Sequence, residues 1–289
     1  RDCSTASDKR DQLLVLPSIS HCSMRCTTLL RSHRWVSLTA LSLKREASSF
    51  TFCTVGAMGR TQEIHKREQR EAAERAKRIE TNLEAVNNTD RNLLAGLEPF
   101  VAFDYERQQD ENVETFKRKA HISFYSSPLP DNLHRDCMEL FERNMGDMYR
   151  SSIWGLNMEE KDEEIRHKDA RFLVVTDVVD EHCVLAFSHF RFEVNDDDEP
   201  TEEVIYLYEI QVNEIARRCG LGQRLMSIME LIAMRANMRC VMLTVFKKNL
   251  SAMDFYLHKM KYTIDESSPS NFEGGNDDYE ILSKRVSRS

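Results

Sequence analysis

Apolar residues recur along this chain at two spacings, and the switch between them outlines the fold. Arg171 to Thr176, Val184 to Val194 and Val204 to Val212 are dense in β-branched and aromatic residues, which predicts three strands. The first two are joined through Asp177 to His182 and the last two through a long acidic loop, an antiparallel meander. Ahead of them, Asn112 to Tyr125 reads as a strand closed by Ser126-Ser-Pro-Leu-Pro130. A helix is predicted next, with Asp131 as N-cap and Leu133, Cys137, Leu140, Phe141 and Met145 at helical spacing, followed by a loop bearing Met148, Tyr149 and Trp154. The charged run Glu159 to Lys168 is a second short helix or a loop. After the meander come an amphipathic helix, Leu221 to Asn237, a strand, Arg239 to Phe246, a helix, Ser251 to Lys259, and a strand near Tyr279 to Ser283. Sheet first, then strand and helix in alternation, gives an α+β layered architecture with helices on both faces of the sheet. Gln62 to Val86, rich in Glu, Lys, Arg and Ala, reads as an exposed helix laced with i,i+4 ion pairs, whose Ile79, Leu83 and Val86 are its candidates for packing.

Composition narrows the function. The 289 residues are 41% hydrophobic, enough for one large domain with extensions. A net charge of −8 argues against nucleic-acid or anionic-membrane partners and suits a basic one. No apolar run approaches the ~20 residues of a spanning helix. The 8 cysteines (Cys3, Cys22, Cys26, Cys53, Cys137, Cys183, Cys219, Cys240) lack paired spacing, so free thiols are expected. His21, Cys22 and Cys26 have no second ligand pair at zinc spacing, and no metal is expected.

The most informative stretch is Arg217-Arg218-Cys219-Gly220-Leu221-Gly222, between a predicted strand and a predicted helix. Its glycines let the main chain approach a ligand, and the helix start offers unpaired N–H groups to a phosphate. Two glycines alone are equally a turn device. The pattern is neither of the dinucleotide nor the P-loop fingerprints.

Arg-x-x-Gly-x-Gly resembles the pyrophosphate motif of the GNAT acetyltransferases. The strings Ala186-Phe-Ser-His-Phe-Arg-Phe192, Tyr206-x-Tyr-Glu209, Val241-Met-Leu-Thr-Val-Phe-Lys247, Asn249, Asp265-x-Ser-Ser-Pro-Ser270 and Tyr279-Glu-Ile-Leu282, in that order, resemble the NatD-type histone N-terminal acetyltransferases of that superfamily. The likeness runs from residue 58 to 285 and is weakest before 135. It implies a GNAT fold with a mixed, mostly antiparallel sheet, acetyl-CoA as cosubstrate, and transfer to the α-amine of histone tails beginning Ser-Gly-Arg-Gly. A lysine or small-amine acetyltransferase of the same fold and a noncatalytic acyl-CoA or histone-tail binder are the rivals. The domain plan is an upstream extension over 1–57, disordered or foreign to the enzyme and ending before Met58-Gly59-Arg60; a charged helix and linker over 58–110; the acetyltransferase domain over 111–285; and a tail over 286–289. Histone tails are the implied partner and ribosome-associated nascent chains the second candidate, for a monomer without an obligatory auxiliary subunit in nucleus and cytoplasm.

The resemblance also assigns roles. The main chain of Ile210 and Val212 would bind pantetheine, with Arg217, Arg218, Cys219, Gly220, Leu221 and Gly222 cradling the pyrophosphate. Asn249 would contact the cofactor, or serve as a helix N-cap. Glu209 is the expected base, directly or through water, and an α-amine with a pKa near ~8 needs only a mild one. Tyr206 and Tyr208 would line the substrate site beside it, with Tyr206 binding substrate, yet strand alternation points Glu209 to the opposite face; a β-bulge or splayed strand near 209 would bring them together, or the tyrosines are ordinary sheet aromatics. Tyr149 and Trp154 would cover the first substrate residues, and Ser267, Ser268 and Tyr279 would lie at the peptide entrance. Glu193 fits the first of two acids that bind an arginine in the tail; Asn195 stands where the second is expected and Asp196 is its substitute, unless the acidic run is merely a solvated loop. Tyr256 stands where many GNAT enzymes place a tyrosine that protonates the departing thiolate, though NatD-type sequences can carry Phe there.

Overall fold

The computed structural model describes residues 51–88, 91–107, 116–180, 183–196, 201–275 and 277–286, without side chains at 51–62, 107 and 116. Readings that concern residues 1–50, the start of the predicted strand at 112–115 and the centre of the acidic loop at 197–200 lie outside them. Two compact units are distinguished, residues 19–80 and the body from Thr81 onward. The first contributes most of α1 (Thr51–Asn87). It carries the expected i,i+4 pairs, Arg67 with Glu71 and Arg70 with Glu74, and continues unbroken through Met58.

The body is an α+β fold built on one mixed sheet of eight strands among the described residues. These are β1 (Ala102–Arg107), β2 (Phe116–Ser126), β3 (Arg171–Asp177), β4 (Val184–Val194), β5 (Glu203–Val212), β6 (Cys240–Phe246), β7 (Thr263–Ile264) and β8 (Tyr279–Arg285), in the spatial order β1-β2-β3-β4-β5-β6-β8-β7. Every pairing is antiparallel except β5 with β6. The helices are α2 (Glu98–Val101), α3 (Asp131–Arg150), α4 (Met158–Arg166), α5 (Leu221–Arg235) and α6 (Leu250–Asp254), which runs on into a π-helical turn at Phe255–Lys259. The sheet is apolar on both faces because helices cover both. Along β3, Leu173 and Val175 join Leu225, Met229 and Ile232 of α5 in one core, whereas Phe172 and Val174 join Cys137, Phe141 and Met145 of α3 in the other. Leu83 and Val86 of α1 pack on the first core.

Several boundaries differ from expectation. The stretch read as linker holds α2 and β1, so the sheet begins at Ala102; the short Ala-Phe-Asp-Tyr-Glu-Arg edge strand carries too many charges to stand out. Pro130, not Asp131, caps α3, without a side-chain bond. Helix α3 extends to Arg150, which places Tyr149 in its last turn rather than in a loop. The charged run 159–168 does form a helix: Asn157 caps α4 by accepting from the N–H of Glu159 and Glu160. Among the described residues no helix is long and apolar enough to cross a membrane, and Cys137, Cys183, Cys219 and Cys240 are free thiols.

Asn157→Ala removes that cap from a nine-residue helix, so unfolding in urea should show a loss of about 1 kcal/mol. An unchanged midpoint would mean the cap contributes nothing.

Candidate active site

The centre of the site is an interruption in β5. Opposite β4, Leu207 pairs with Phe190 and Glu209 with His189, which leaves Tyr208 as an extra residue. This is the bulge that the clash between the two faces called for, and it lets Tyr208 and Glu209 serve one side of the sheet. On the other edge the parallel ladder to β6 ends at Leu207 and Leu243, so the two strands part beyond that point. The main chain of Ile210 and Val212 continues along the opening. One of its carbonyls, that of Val212, accepts from Asn144 Nδ2 at 3.1 Å.

Glu209 is fully buried. Lys161 Nζ of α4 donates to its Oε1 at 2.9 Å and Gln211 Nε2 to its Oε2 at 2.7 Å. Burial disfavours the carboxylate more than Lys161 supports it, and with Glu164 adding repulsion the carboxyl is pushed up to about 7. Burial also opposes the charge on Lys161, but Glu164 and Glu209 outweigh it and hold the ammonium above the usual lysine value. His189 lies between the rings of Phe172 and Tyr208, at 5.1 and 4.8 Å. Neither ring nitrogen has a hydrogen-bond partner, and burial, then Arg191 and Lys161, depress its pKa well below the ordinary histidine value.

The tyrosines connect this pocket to the acidic hairpin. Tyr208 donates to Glu193 Oε1 at 2.7 Å and accepts from Arg191 Nη1 at 3.2 Å. Arg191 also bonds the Glu164 carbonyl at 2.6 Å. Tyr206 shares a hydrogen bond with Thr244 of β6, and burial raises its pKa above the usual tyrosine range. Asn195 is engaged inside its own hairpin: Oδ1 accepts from the N–H of Thr201 and Glu202 and Nδ2 donates to Thr201. Its side chain therefore closes the loop instead of facing Glu193's partner. Asp196 is exposed at the rim.

The glycine loop has the shape expected of it. Gly220 sits at φ 78° as the cap of α5, where an added Cβ would meet nothing within 4 Å, and α5 has no side-chain cap. The N–H groups of Leu221 and Gly222 open the helix and have no intrahelical acceptor. Arg218 also has a positive φ of 62°. Arg217 does not turn to the loop alone; its Nη2 donates to Asn144 Oδ1 at 2.8 Å. Cys219 Sγ donates to the Glu106 carbonyl. Asn249 serves as the helix cap, its Oδ1 accepting from Ala252 N–H, while its Nδ2 is buried without a partner. Tyr256 in the π-helical turn is likewise buried with its hydroxyl unpartnered. Burial, then the charge of Glu209, raises its pKa well above normal.

The entrance residues divide. Trp154 packs at a tilt against Tyr279 at 4.9 Å and Phe246 at 5.2 Å, with Tyr149 buried against Phe246 and Phe141. Ser268 is buried and structural: its hydroxyl donates to Glu280 and accepts from Ile281 N–H. Ser267 turns to Asp265. Sequence reasoning missed Asn144, Lys161, Glu164, His189, Arg191 and Gln211. For Lys161 a faint signal existed, since Ile165 four residues on marks the buried side of an otherwise charged helix. Among the described residues no group of three or more His, Cys, Asp or Glu is placed to hold a metal.

The acetyltransferase (GNAT) family model matches residues 133–262. Among solved structures, the ribosomal-protein-S18-alanine N-acetyltransferase from Escherichia coli is similar at 14% identity over 58% of this chain and 96% of that one, with a TM-score of 0.40. Arabidopsis thaliana NAA60 in complex with a bisubstrate analogue gives 16%, 58%, 99% and 0.42, and the NatC complex bound to Gag peptide and CoA gives 11%, 57%, 99% and 0.43. Likenesses this distant say nothing about substrate.

Gly220→Val forces a branched residue into a left-handed conformation, at a cost of about 1–2 kcal/mol, and puts bulk at the mouth of the cradle. Calorimetry should show acetyl-CoA binding weakened about tenfold or more; wild-type affinity would place the phosphates elsewhere.

Proposed function

We propose, from the match of residues 133–262 to the acetyltransferase (GNAT) family model, that the protein is an acetyl-CoA-dependent N-terminal α-amine acetyltransferase acting on histone tails that begin Ser-Gly-Arg-Gly. The observation that carries the reading is the contact between Tyr208 and Glu193. It ties Glu193, an acid that also lies 3.8 Å from Arg191, to the residue that precedes the buried base Glu209, so a short basic N terminus can present its amine and its arginine to the same region. The ordered strings from Ala186 to Leu282 support the choice of substrate. Histone tails as partner and a nuclear and cytoplasmic location belong to the same proposal.

Acetyl-CoA supplies the acetyl thioester. The gap beyond Leu207 and Leu243 admits its pantetheine arm, with Asn249 Nδ2 as a donor, and the α5 N terminus with Gly220 takes the pyrophosphate. Glu209, with a pKa of about 7, removes the proton of an α-amine. Because the carboxyl is buried and already bonded to Lys161 and Gln211, the proton travels to it through water. The amine nitrogen then attacks the thioester carbonyl carbon and the carbon–sulfur bond breaks. Tyr256, whose hydroxyl is otherwise unsatisfied, protonates the leaving thiolate and regains, through water, the proton that the nitrogen sheds as the amide forms. Trp154 and Tyr279 cover the first substrate residues.

The direct assay compares two Ser-Gly-Arg-Gly peptides, one with a free α-amine and one blocked there with its lysines free. Acetylation of only the first is expected. Equal acetylation of both would make the protein a lysine acetyltransferase, and binding of acetyl-CoA without transfer would make it a binder. Glu209→Gln should lower turnover about tenfold or more with acetyl-CoA affinity kept; unchanged turnover would remove Glu209 from the reaction. The pH dependence has a definite sign. A base with a folded pKa of about 7 is protonated below it, so kcat/KM should fall about tenfold per pH unit on the acid side of 7. A plateau extending down to pH 5 would contradict it. Glu193→Lys should chiefly raise KM for the arginine-bearing peptide, and an equal effect on a peptide with alanine in place of arginine would show that no such contact exists.

A further inference from the structure

Lys161 takes no part in the steps above, yet it is among the most tightly held groups in the molecule. It is 4% exposed. Its Nζ lies 2.9 Å from Glu209 Oε1 and 2.7 Å from Glu164 Oε1, and over the rings of Phe141 and Tyr149 at 4.8 and 5.6 Å. The helix that carries it is fastened at three points. Asn157 caps it, His134 of α3 meets Asp162 at 2.6 Å, and Arg191 of β4 bonds the Glu164 carbonyl. A short surface helix needs no such fastening to present a solvated charge. We propose that Lys161 is a positioning residue of the transfer reaction: its ammonium, itself held by Glu164, orients the Glu209 carboxyl and keeps it ionised at the head of the β5–β6 gap. The proposal rests on Glu209 as the base.

The groups facing Glu209 are Tyr149 from α3, Lys161 and Glu164 from α4, His189 from β4, Gln211 from β5 and Tyr256 from the turn after α6. Among these Lys161 alone supplies a positive charge, because His189 is kept neutral by burial; the nearby Arg191 turns to Tyr208 and the Glu164 carbonyl. Without Lys161, a dry carboxyl beside a second carboxylate keeps its proton to higher pH. A purely structural lysine would leave the protonation of the base where it was.

The test is the pH profile of kcat/KM for the full chain, for Lys161→Met and for Lys161→Met/Glu164→Gln, with acetyl-CoA affinity and Tm measured alongside. Lys161→Met should move the acid limb upward by about one pH unit or more while acetyl-CoA affinity stays within about twofold. The double variant, relieved of the carboxylate repulsion, should retreat partway and stay above wild type. A rate lowered evenly at every pH, with the acid limb unmoved, would overturn the proposal. If Lys161→Met does not fold, the double variant, which leaves no second buried carboxylate, decides by the same criterion. Glu209→Gln separates the two claims. Slow turnover there together with an unmoved limb in the Lys161 variants defeats only the role of Lys161, whereas wild-type turnover in Glu209→Gln defeats the base itself.

Discussion

One extra residue in β5 shapes everything around it. Placing Leu207 opposite Phe190 and Glu209 opposite His189 leaves no β4 residue directly across the ladder from Tyr208, and at the same point β6 stops pairing on the other side. A regular strand would have sent Tyr208 and Glu209 to opposite faces. The bulge brings the tyrosine, the carboxyl and the mouth of the opening together, and the flanking ladders hold the irregularity in place. β4 and β3 are buried throughout most of their length, which gives the sheet the rigidity to keep an interrupted strand.

The charges placed there are costly in isolation. Glu209 and Lys161 are both shut away from water, and an unpaired buried charge costs several kcal/mol. The structure meets this cost with a closed set: Glu164 and Glu209 share one lysine, Gln211 serves the other oxygen of Glu209, and Asn144 ties Gln211 to Arg217. The loop after β5 and the base are thus joined by hydrogen bonds as well as by sequence. Asn249 Nδ2 and the Tyr256 hydroxyl are among the buried side-chain atoms that remain without a hydrogen-bond partner.

Much of this was legible in the residues. The bounds of β4, Val184–Val194, coincide with its apolar run, because a strand covered on both faces must be apolar nearly throughout. The bulge was legible as a contradiction, two tyrosines and a glutamate that could share a site only if the strand broke step. The glycine cradle followed from Gly220 and the helix after it. Edge strand β1 was missed because half its side chains face water. Lys161 was hidden for another reason: within a run of acids and bases no local pattern shows that one lysine reaches a glutamate 48 positions away. Asn195 and Ser268 show the converse, since residue types suited to substrate contact are spent on closing a hairpin and fastening a loop to β8.

The central claim is that the gap opened by the β5 bulge, floored by the start of α5, is the acetyl-CoA slot. Amide hydrogen exchange with and without acetyl-CoA tests it most directly. Slowed exchange at residues 208–212 and 219–223, with the outer strands β1 and β2 unchanged, is the predicted result. Saturating binding that leaves both segments exchanging at their unliganded rates would contradict it.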